Sequence, residues 1–239
     1  MARSSAKYVR WRDARREDAA RCSRTMMVPS SDPERFTSLD AETVALVRLA
    51  AVVAGGTEME LRQAVVEAAP LIRAVWVDEL LLQSYLFAGF PRMLNAAREW
   101  RKATGLPAEA DDEGVHDEMI GVWHERGEAT CSAVYGDMYP KLRENMRSLH
   151  PSIDAWMIVE GYGKVLGRPG LDLPRRELCI VAACVASEQD RQLVSHLHGA
   201  VNVGAPVTWV DDTLRALNGV TRADALQRAT MLWARVKGK

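Results

Sequence analysis

The stretch GRPGLDLPRRELCIVAACVASEQDRQLVSHLHGAVNVGAP, residues 167–206, decides the fold class. Its apolar residues recur at spacings of three and four, which is the period of a helix packed against a core. Asp172 and Pro174 are residue types typical of a helix N-terminus, and they precede the helical pattern of residues 175–186. The stretch therefore predicts a buried helix that begins near Asp172.

A short polar break separates this helix from a second one. Ser187 and Asp190 resemble a capping box for the following helix, which ends at Gly204. Because a short turn brings consecutive helices together as antiparallel neighbours, side chains of the two helices are predicted to face each other.

The rest of the chain shows the same helical period from Ser38 onward, and no long alternating run favours strands. Asp40 is predicted to cap one helix, and Thr57 with Glu60 to form a capping box for the next. The segment GLPAEADDEG, residues 105–114, is the best candidate for a linker. The sequence thus predicts an all-α protein.

A partial internal repeat indicates how the helices are organised. The tripeptide Trp-Val-Asp at residues 76–78 reappears at residues 209–211, and an apolar helix, a polar break and a second helix precede each copy. We interpret this pattern as a duplication. The predicted division is a basic tail at residues 1–36, a first, degenerate helical unit at 37–108, and a second unit at 109–239 that carries the candidate site.

Composition limits the classes of partner. Hydrophobic residues make up 48% and charged residues 26% of the chain, and the formal net charge of −1 gives no reason to expect nucleic-acid binding. No apolar run reaches the roughly 18 residues of a membrane span, and the N-terminus lacks the apolar core of a secretory signal. We therefore expect a cytoplasmic protein with no membrane partner. The first 24 residues carry eight Arg or Lys and three acids, and we interpret them as a solvated tail.

The four cysteines are scattered without a CxxC pair, so the sequence predicts no metal site: Cys22, Cys131, Cys179 and Cys184. Cys179 and Cys184 lie about 140° apart on their helix and are interpreted as small core residues. His196 and His198 are two positions apart, so they cannot bind one metal ion from the same side of a helix.

A candidate acid/base site follows from helical spacing. Gln189, Gln192 and His196 are three and four positions apart and lie on one stripe of a helix, which Glu177 on the preceding helix could face. A carboxylate beside an imidazole is suited to proton transfer. A buried network that only satisfies its own hydrogen bonds would give the same pattern, so both interpretations stay open.

Residues 167–206 resemble the carboxymuconolactone decarboxylase and AhpD-like superfamily, whose units carry an RPGL segment, a helix, and a second helix with a histidine. Residues 81–96, LLQSYLFAGFPRMLNA, resemble another helix of the same family. The resemblance covers most of residues 37–217. It implies the AhpD-like all-α fold with two tandem units, and a ring-shaped homo-oligomer that for a tandem chain is a trimer.

The peroxidase branch of that family places Glu, Cys, Cys and His at a spacing that this chain keeps with Glu177, Gln189, Gln192 and His196. Glutamine cannot act as a nucleophile, so a thiol hydroperoxidase is disfavoured. The decarboxylase branch needs neither cysteine nor cofactor. The resemblance therefore implies a cofactor-independent lyase that acts on a small carboxylate or lactone.

The same resemblance assigns roles within the site. His196 is expected to move the proton with Glu177 as its partner, while Gln189 and Gln192 hold the substrate. Further substrate contacts are predicted for three residues: Arg176, Arg191 and Tyr162.

At a shift of 132 positions the first unit has Ala45, Thr57, Glu60 and Ala64 in these places, so it is predicted to have lost the constellation. A non-catalytic binding or scaffold protein of the same fold is the competing hypothesis, and an alkylhydroperoxidase is the third.

Overall fold

The predicted helix caps are formed at the start of the first two helices. The structure is a computed structural model that describes residues 38–238, so the predicted basic tail at 1–36 and Cys22 lie outside the described residues. The Asp40 carboxylate accepts a hydrogen bond from the Thr43 amide at 2.7 Å, and the predicted capping box of Thr57 and Glu60 is present. Four helices follow: α1 Ala41–Gly55, α2 Glu58–Ala68, α3 Ala74–Ala88 and α4 Phe90–Thr104.

The middle of the chain contains shorter and less regular helices. Two 3₁₀ turns, Glu113–Val115 and Asp117–Met119, come before α5, and a third, Gly136–Met138, follows it. The α-helices are α5 Ile120–Tyr135, α6 Tyr139–Leu149 and α7 Pro151–Trp156. A π-helical segment, Met157–Leu166, continues from α7, and its wider turn is seen where the Gly167 amide donates to the Tyr162 carbonyl at 2.8 Å.

Four helices complete the described chain: α8 Leu173–Ala186, α9 Asp190–Asn202, α10 Val207–Ala216 and α11 Ala223–Lys237. The α8 helix is capped as predicted, because the Asp172 carboxylate accepts from the Arg175 amide. The all-α class is confirmed, since residues 38–238 contain helices and no strand. No described helix has both the length and the apolar character needed to cross a bilayer.

The predicted capping box at the start of α9 is wrong. Gln189 takes the N-cap position and makes no side-chain cap bond, while the Ser187 hydroxyl donates to the Ala183 carbonyl at 2.7 Å. Glu188 has a φ of 58°, in the left-handed region. The chain reverses within three residues, so Ser187 satisfies the end of α8 and is not available to cap α9.

The core is built around α8, whose residues 176–185 are all buried. This helix packs against α1, α9 and α3. Because other helices cover it on several sides, its sequence is a nearly continuous apolar run. Leu46 on α1 and Leu178 on α8 both have no exposed surface. Burial of side chains of this size is the main stabilising contribution, at about 1.5–3 kcal/mol each.

The helices of the two ends of the chain correspond in position. Helices α8 to α11 begin 132 or 133 residues after α1 to α4, taken in order. Trp100 and Trp233, also 133 apart, are 1% and 3% exposed. The Arg175 guanidinium lies against both Trp76 and Trp209, at 4.7 Å and 5.1 Å from the ring centroids. The correspondence seen in the sequence therefore extends to the helix starts and to buried side chains.

Candidate acid/base site

Glu177 in the second turn of α8 and His196 in α9 are hydrogen bonded across the antiparallel helix pair. The Oε2 atom of Glu177 lies 2.8 Å from Nδ1 of His196. Glu177 has no exposed surface and His196 is 4% exposed, so the contact is almost completely shielded from water. The structure thus brings together the two residues that sequence reasoning proposed as catalytic.

A glycine makes room for this contact. A Cβ atom at Gly199 would lie 2.6 Å from Oε2 of Glu177 and 2.8 Å from Cγ1 of Val134. Both distances are shorter than side chains tolerate, and Gly199 is three positions after His196 on the same helix. The carboxylate therefore occupies space that any larger residue at position 199 would fill.

The hydrogen bond sets which atoms can react. With Glu177 ionised, His196 donates its Nδ1–H to the carboxylate, and Nε2 is the nitrogen left for a substrate. The other carboxylate oxygen of Glu177, Oε1, is buried and has no hydrogen-bond partner among the described residues. A carboxylate oxygen in a protein interior is costly to leave without a partner, so Oε1 is a position where a water molecule or a ligand group would bind.

Aromatic side chains lie near the acid/base pair. Phe87 lies edge-on to the His196 ring, with 5.4 Å between centroids, and Tyr135 packs in the same manner against Tyr162 at 6.2 Å. Burial raises the pKa of Tyr135 to about 12, and burial with the nearby charge of Glu177 raises the pKa of Tyr162 well above 10. Both phenols are therefore neutral hydroxyl groups at physiological pH. Tyr162, a predicted substrate contact, is buried in the π-helical segment beside the acid/base pair.

The thiols near the pair are not poised for nucleophilic chemistry. Burial raises the pKa of Cys184 to about 12, and the negative charge of Glu177 adds to the effect. Cys131 and Cys179 are buried as well, and burial raises the pKa of each above its ordinary value of 9.0. A thiol that stays protonated is a poor nucleophile, so the geometry gives a peroxidase mechanism no reactive cysteine among the described residues.

The predicted substrate-binding residues on and beside α9 lie at the surface. Gln192 is exposed one turn before His196, so the two share a helix face. Gln189 is exposed at the N-cap, and its amide donates to the Ser187 carbonyl at 3.2 Å. Arg191 is exposed and lies about 140° around the helix from His196. Their substrate contacts stay predictions.

Arg176 lies inside the core. Its guanidinium donates to the Glu79 carboxylate at 2.6 Å, to the Gln83 amide oxygen at 3.2 Å, and to the carbonyls of Leu171 and Arg168 at 3.0 Å and 3.1 Å. These contacts account for the arginine without a substrate, and the binding role assigned to it stays a prediction. Sequence reasoning missed Glu79 as its partner, because the two residues are 97 positions apart and no local pattern links them.

Residues 38–238 contain no group of three or more His, Cys, Asp or Glu side chains arranged to hold a metal ion. Glu177 and His196 form a two-residue acid/base pair. Such a pair can deliver or accept one proton at Nε2 while the carboxylate stabilises the imidazolium form.

The fold places a buried Glu–His pair between two antiparallel helices, and comparison with known proteins shows what this part of the chain is similar to. Residues 155–235 match the model of the carboxymuconolactone decarboxylase family. The resemblance recognised in the sequence is thereby confirmed for residues 155–235, and this part of the chain contains both residues of the pair.

The chain is also similar to a curated protein, peroxisomal protein 2 of Schizosaccharomyces pombe, with 31% identity over 129 residues. The aligned region is 53% of this chain and 60% of the relative. The chain thus spans less than two thirds of the relative's length.

Proposed function

We propose that this protein is a cofactor-independent acid/base enzyme, a decarboxylase or related lyase, that acts on a small carboxylate or lactone. The observation that carries the proposal is the buried hydrogen bond between Glu177 and His196. The family domain at residues 155–235 supports the same chemical class.

The proposed reaction uses the pair as one proton donor. In the substrate, the bond between a lactone carbon and its carboxylate breaks, carbon dioxide leaves, and the electron pair stays on the conjugated lactone. Protonated His196 transfers the proton at Nε2 to that carbon, and ionised Glu177 stabilises the imidazolium until the transfer. Solvent then returns the proton to His196, so no oxidant or reductant is needed.

The test is carbon dioxide release from γ-lactones that bear a carboxylate, starting with carboxymuconolactone, and deuterium incorporation into the product in D₂O. We expect His196→Ala to lower kcat by about 100-fold or more, because general acid catalysis contributes factors of about 10² to 10⁴. The matched control is His198→Ala, which removes an exposed histidine two positions away on the same helix. Equal rates for the two variants would contradict the proposal.

The alternative is a non-catalytic binding or scaffold protein of the same fold. It is favoured by the first helix pair, where Ala45 and Ala64 stand 132 positions before Glu177 and His196 and carry no acid/base group. A wild-type protein that folds and turns over none of the lactones would support this alternative. The hydroperoxidase is the least supported function because the described thiols are buried with raised pKa values.

We further propose that helices α1 to α4 and α8 to α11 arose by duplication, which the shared spacing of their starts supports. The expected assembly is a homotrimer, because the family forms rings. Light scattering of the full chain should give three times the protomer mass of 26.5 kDa, and a protomer mass would overturn the trimer. A cytoplasmic location remains our expectation, and the relative's name assigns only that protein to the peroxisome.

A further inference from the structure

A cavity of about 360 Å³ opens between α1 and α2, far along the chain from the acid/base pair. Its surface is mainly apolar, and the apolar side chains that form it include Val44, Ala45, Val52 and Ala64. The loop at Gly219 and Val220, between α10 and α11, closes one side. The volume is within the range of about 300–1,000 Å³ found for small-molecule sites.

The cavity occupies the place that corresponds to the acid/base pair. Ala45 and Ala64, which line it, are 132 positions before Glu177 and His196. In α8 and α9 the two larger polar side chains fill this space and meet each other. In α1 and α2 both are replaced by a methyl group, so the space between the helices remains open.

The polar groups at the mouth of the cavity are mainly acidic. Glu60, Gln63 and Glu67 are exposed along one face of α2 at spacings of three and four. Glu60 uses Oε2 to cap Thr57, and Glu67 uses Oε1 to accept from Gln63. Each carboxylate therefore keeps a second oxygen that these bonds do not use.

The positively charged residue on the opposite side of the cavity, Arg48, already has a hydrogen-bond partner. Arg48 on α1 donates from Nη1 to the Ala216 carbonyl at 2.6 Å, which directs its guanidinium toward the end of α10. Two carboxylates on α2 thus face a single arginine that already has a partner. The mouth of the cavity favours a positively charged group over a negative one.

We propose that this cavity binds a small organic cation, an amine carried on an aromatic or branched apolar body. The apolar body rests on Ala45 and Ala64, and the ammonium group reaches the carboxylate of Glu67. This binding site is separate from the acid/base pair and does not depend on the proposed lyase activity.

The test uses two probes with the same apolar ring, 1-naphthylmethylamine and 1-naphthylacetate, titrated into the full chain by calorimetry. Methyl NMR signals of Val44 and Val52 report where each probe binds. We expect saturable binding of the amine with shifts at both valines, and binding of the acetate at least tenfold weaker. Absence of saturable amine binding, or equal affinity for the two probes, overturns the proposal.

Two variants locate the site. Ala64→Phe fills the cavity from a partly exposed helix position and should weaken amine binding at least tenfold. Glu67→Gln removes the charge of an exposed side chain, and it should weaken amine binding several-fold while acetate binding becomes no weaker. Amine binding that both variants leave intact contradicts the proposal.

His196→Ala serves as the control that separates the two sites. It should leave amine affinity unchanged, because His196 lines the other helix pair. Loss of amine binding in this variant would assign the probe to the acid/base pair and overturn the cavity site. Failure of the lactone assay, by contrast, bears on the lyase proposal alone.

Discussion

At the scale of single residues, Asp154 in α7 shows how one carboxylate joins two helices. Its Oδ1 accepts from Nε of Arg143 at 2.5 Å, and its Oδ2 accepts from Nε of Arg147 at 2.9 Å. The Asp154 side chain is 7% exposed. The hydrogen bond from Arg143 is the main cause that lowers the pKa of Asp154 below its ordinary value of 3.8.

This shift predicts a pH-dependent stability. Because the pKa of Asp154 is lower in the folded state, its contribution is complete well above pH 3.8 and is lost as the pH falls through the folded-state pKa. We expect Asp154→Asn to lower the free energy of unfolding by about 1–3 kcal/mol at pH 6. Urea denaturation should show a smaller difference from wild type at pH 3, and a difference that grows toward pH 3 would contradict the assignment.

Whether the role of a residue could be predicted from the sequence depends on how far along the chain its partner lies. The caps at Asp40 and Asp172 act on amides three positions away, so the sequence shows them directly. The contact between Glu177 and His196 follows from the period of two helices joined by a short turn. The role of Gly199 does not, because it depends on how closely a side chain of the neighbouring helix approaches.

At the scale of helices, α5 and the π-helical segment pack unusually close together. A Cβ atom at Gly163 would overlap the Trp123 carbonyl, and one at Gly127 would overlap the Ile158 carbonyl. The two backbones are in direct contact at these glycines. This contact sets the position of Tyr162, which is next to Gly163 and beside the acid/base pair.

We therefore expect Gly163→Ala to destabilise the fold by about 3 kcal/mol or more, since the added methyl group meets backbone atoms that cannot rotate away. Gly121→Ala is the matched control, because Gly121 also lies in this helix pair, on α5, and a Cβ there meets nothing within 4 Å. Denaturant unfolding should show Gly121→Ala at or above wild-type stability. Similar values for the two variants would contradict the close approach.

The sequence predicts most of the helices, but it does not predict the hydrogen-bond register of the π-helical segment. Apolar spacing and end signals depend on neighbouring residues, so they revealed α1, α2 and α8. A π-helical turn carries the same apolar and polar residues as an α-helix. The π-helical segment Met157–Leu166 packs against α5, and no local pattern records this contact between residues far apart in the chain.

At the scale of the whole molecule, a network of buried charges connects distant parts of the chain. Arg168 donates from Nε to both oxygens of Glu79 at 3.0 Å and from Nη2 to Asp112 at 2.7 Å. Arg176 donates to the same Glu79 carboxylate. The network fastens the segment before α5, which sequence analysis interpreted as a linker at 105–114, to α3 and α8.

Removing Arg168 should release this segment. We expect Arg168→Ala to cost about 3 kcal/mol, because it leaves the buried Glu79 carboxylate with fewer partners, and to speed protease cleavage within residues 105–119. Arg62→Ala is the control: its ion pair with Glu99 is exposed, and such pairs contribute about 0–1 kcal/mol. Unchanged cleavage of the segment in Arg168→Ala would show that other contacts hold it.

The close approach at Gly199 has a consequence for the history of the molecule. Under the proposed duplication, regaining the pair between α1 and α2 takes Ala45→Glu and Ala64→His, and also Glu67→Gly, since Glu67 stands 132 positions before Gly199. Ala45→Glu alone would place a second carboxylate beside that of Glu67. Each of the three changes made singly leaves the pair incomplete, so no one substitution builds the acid/base pair between α1 and α2.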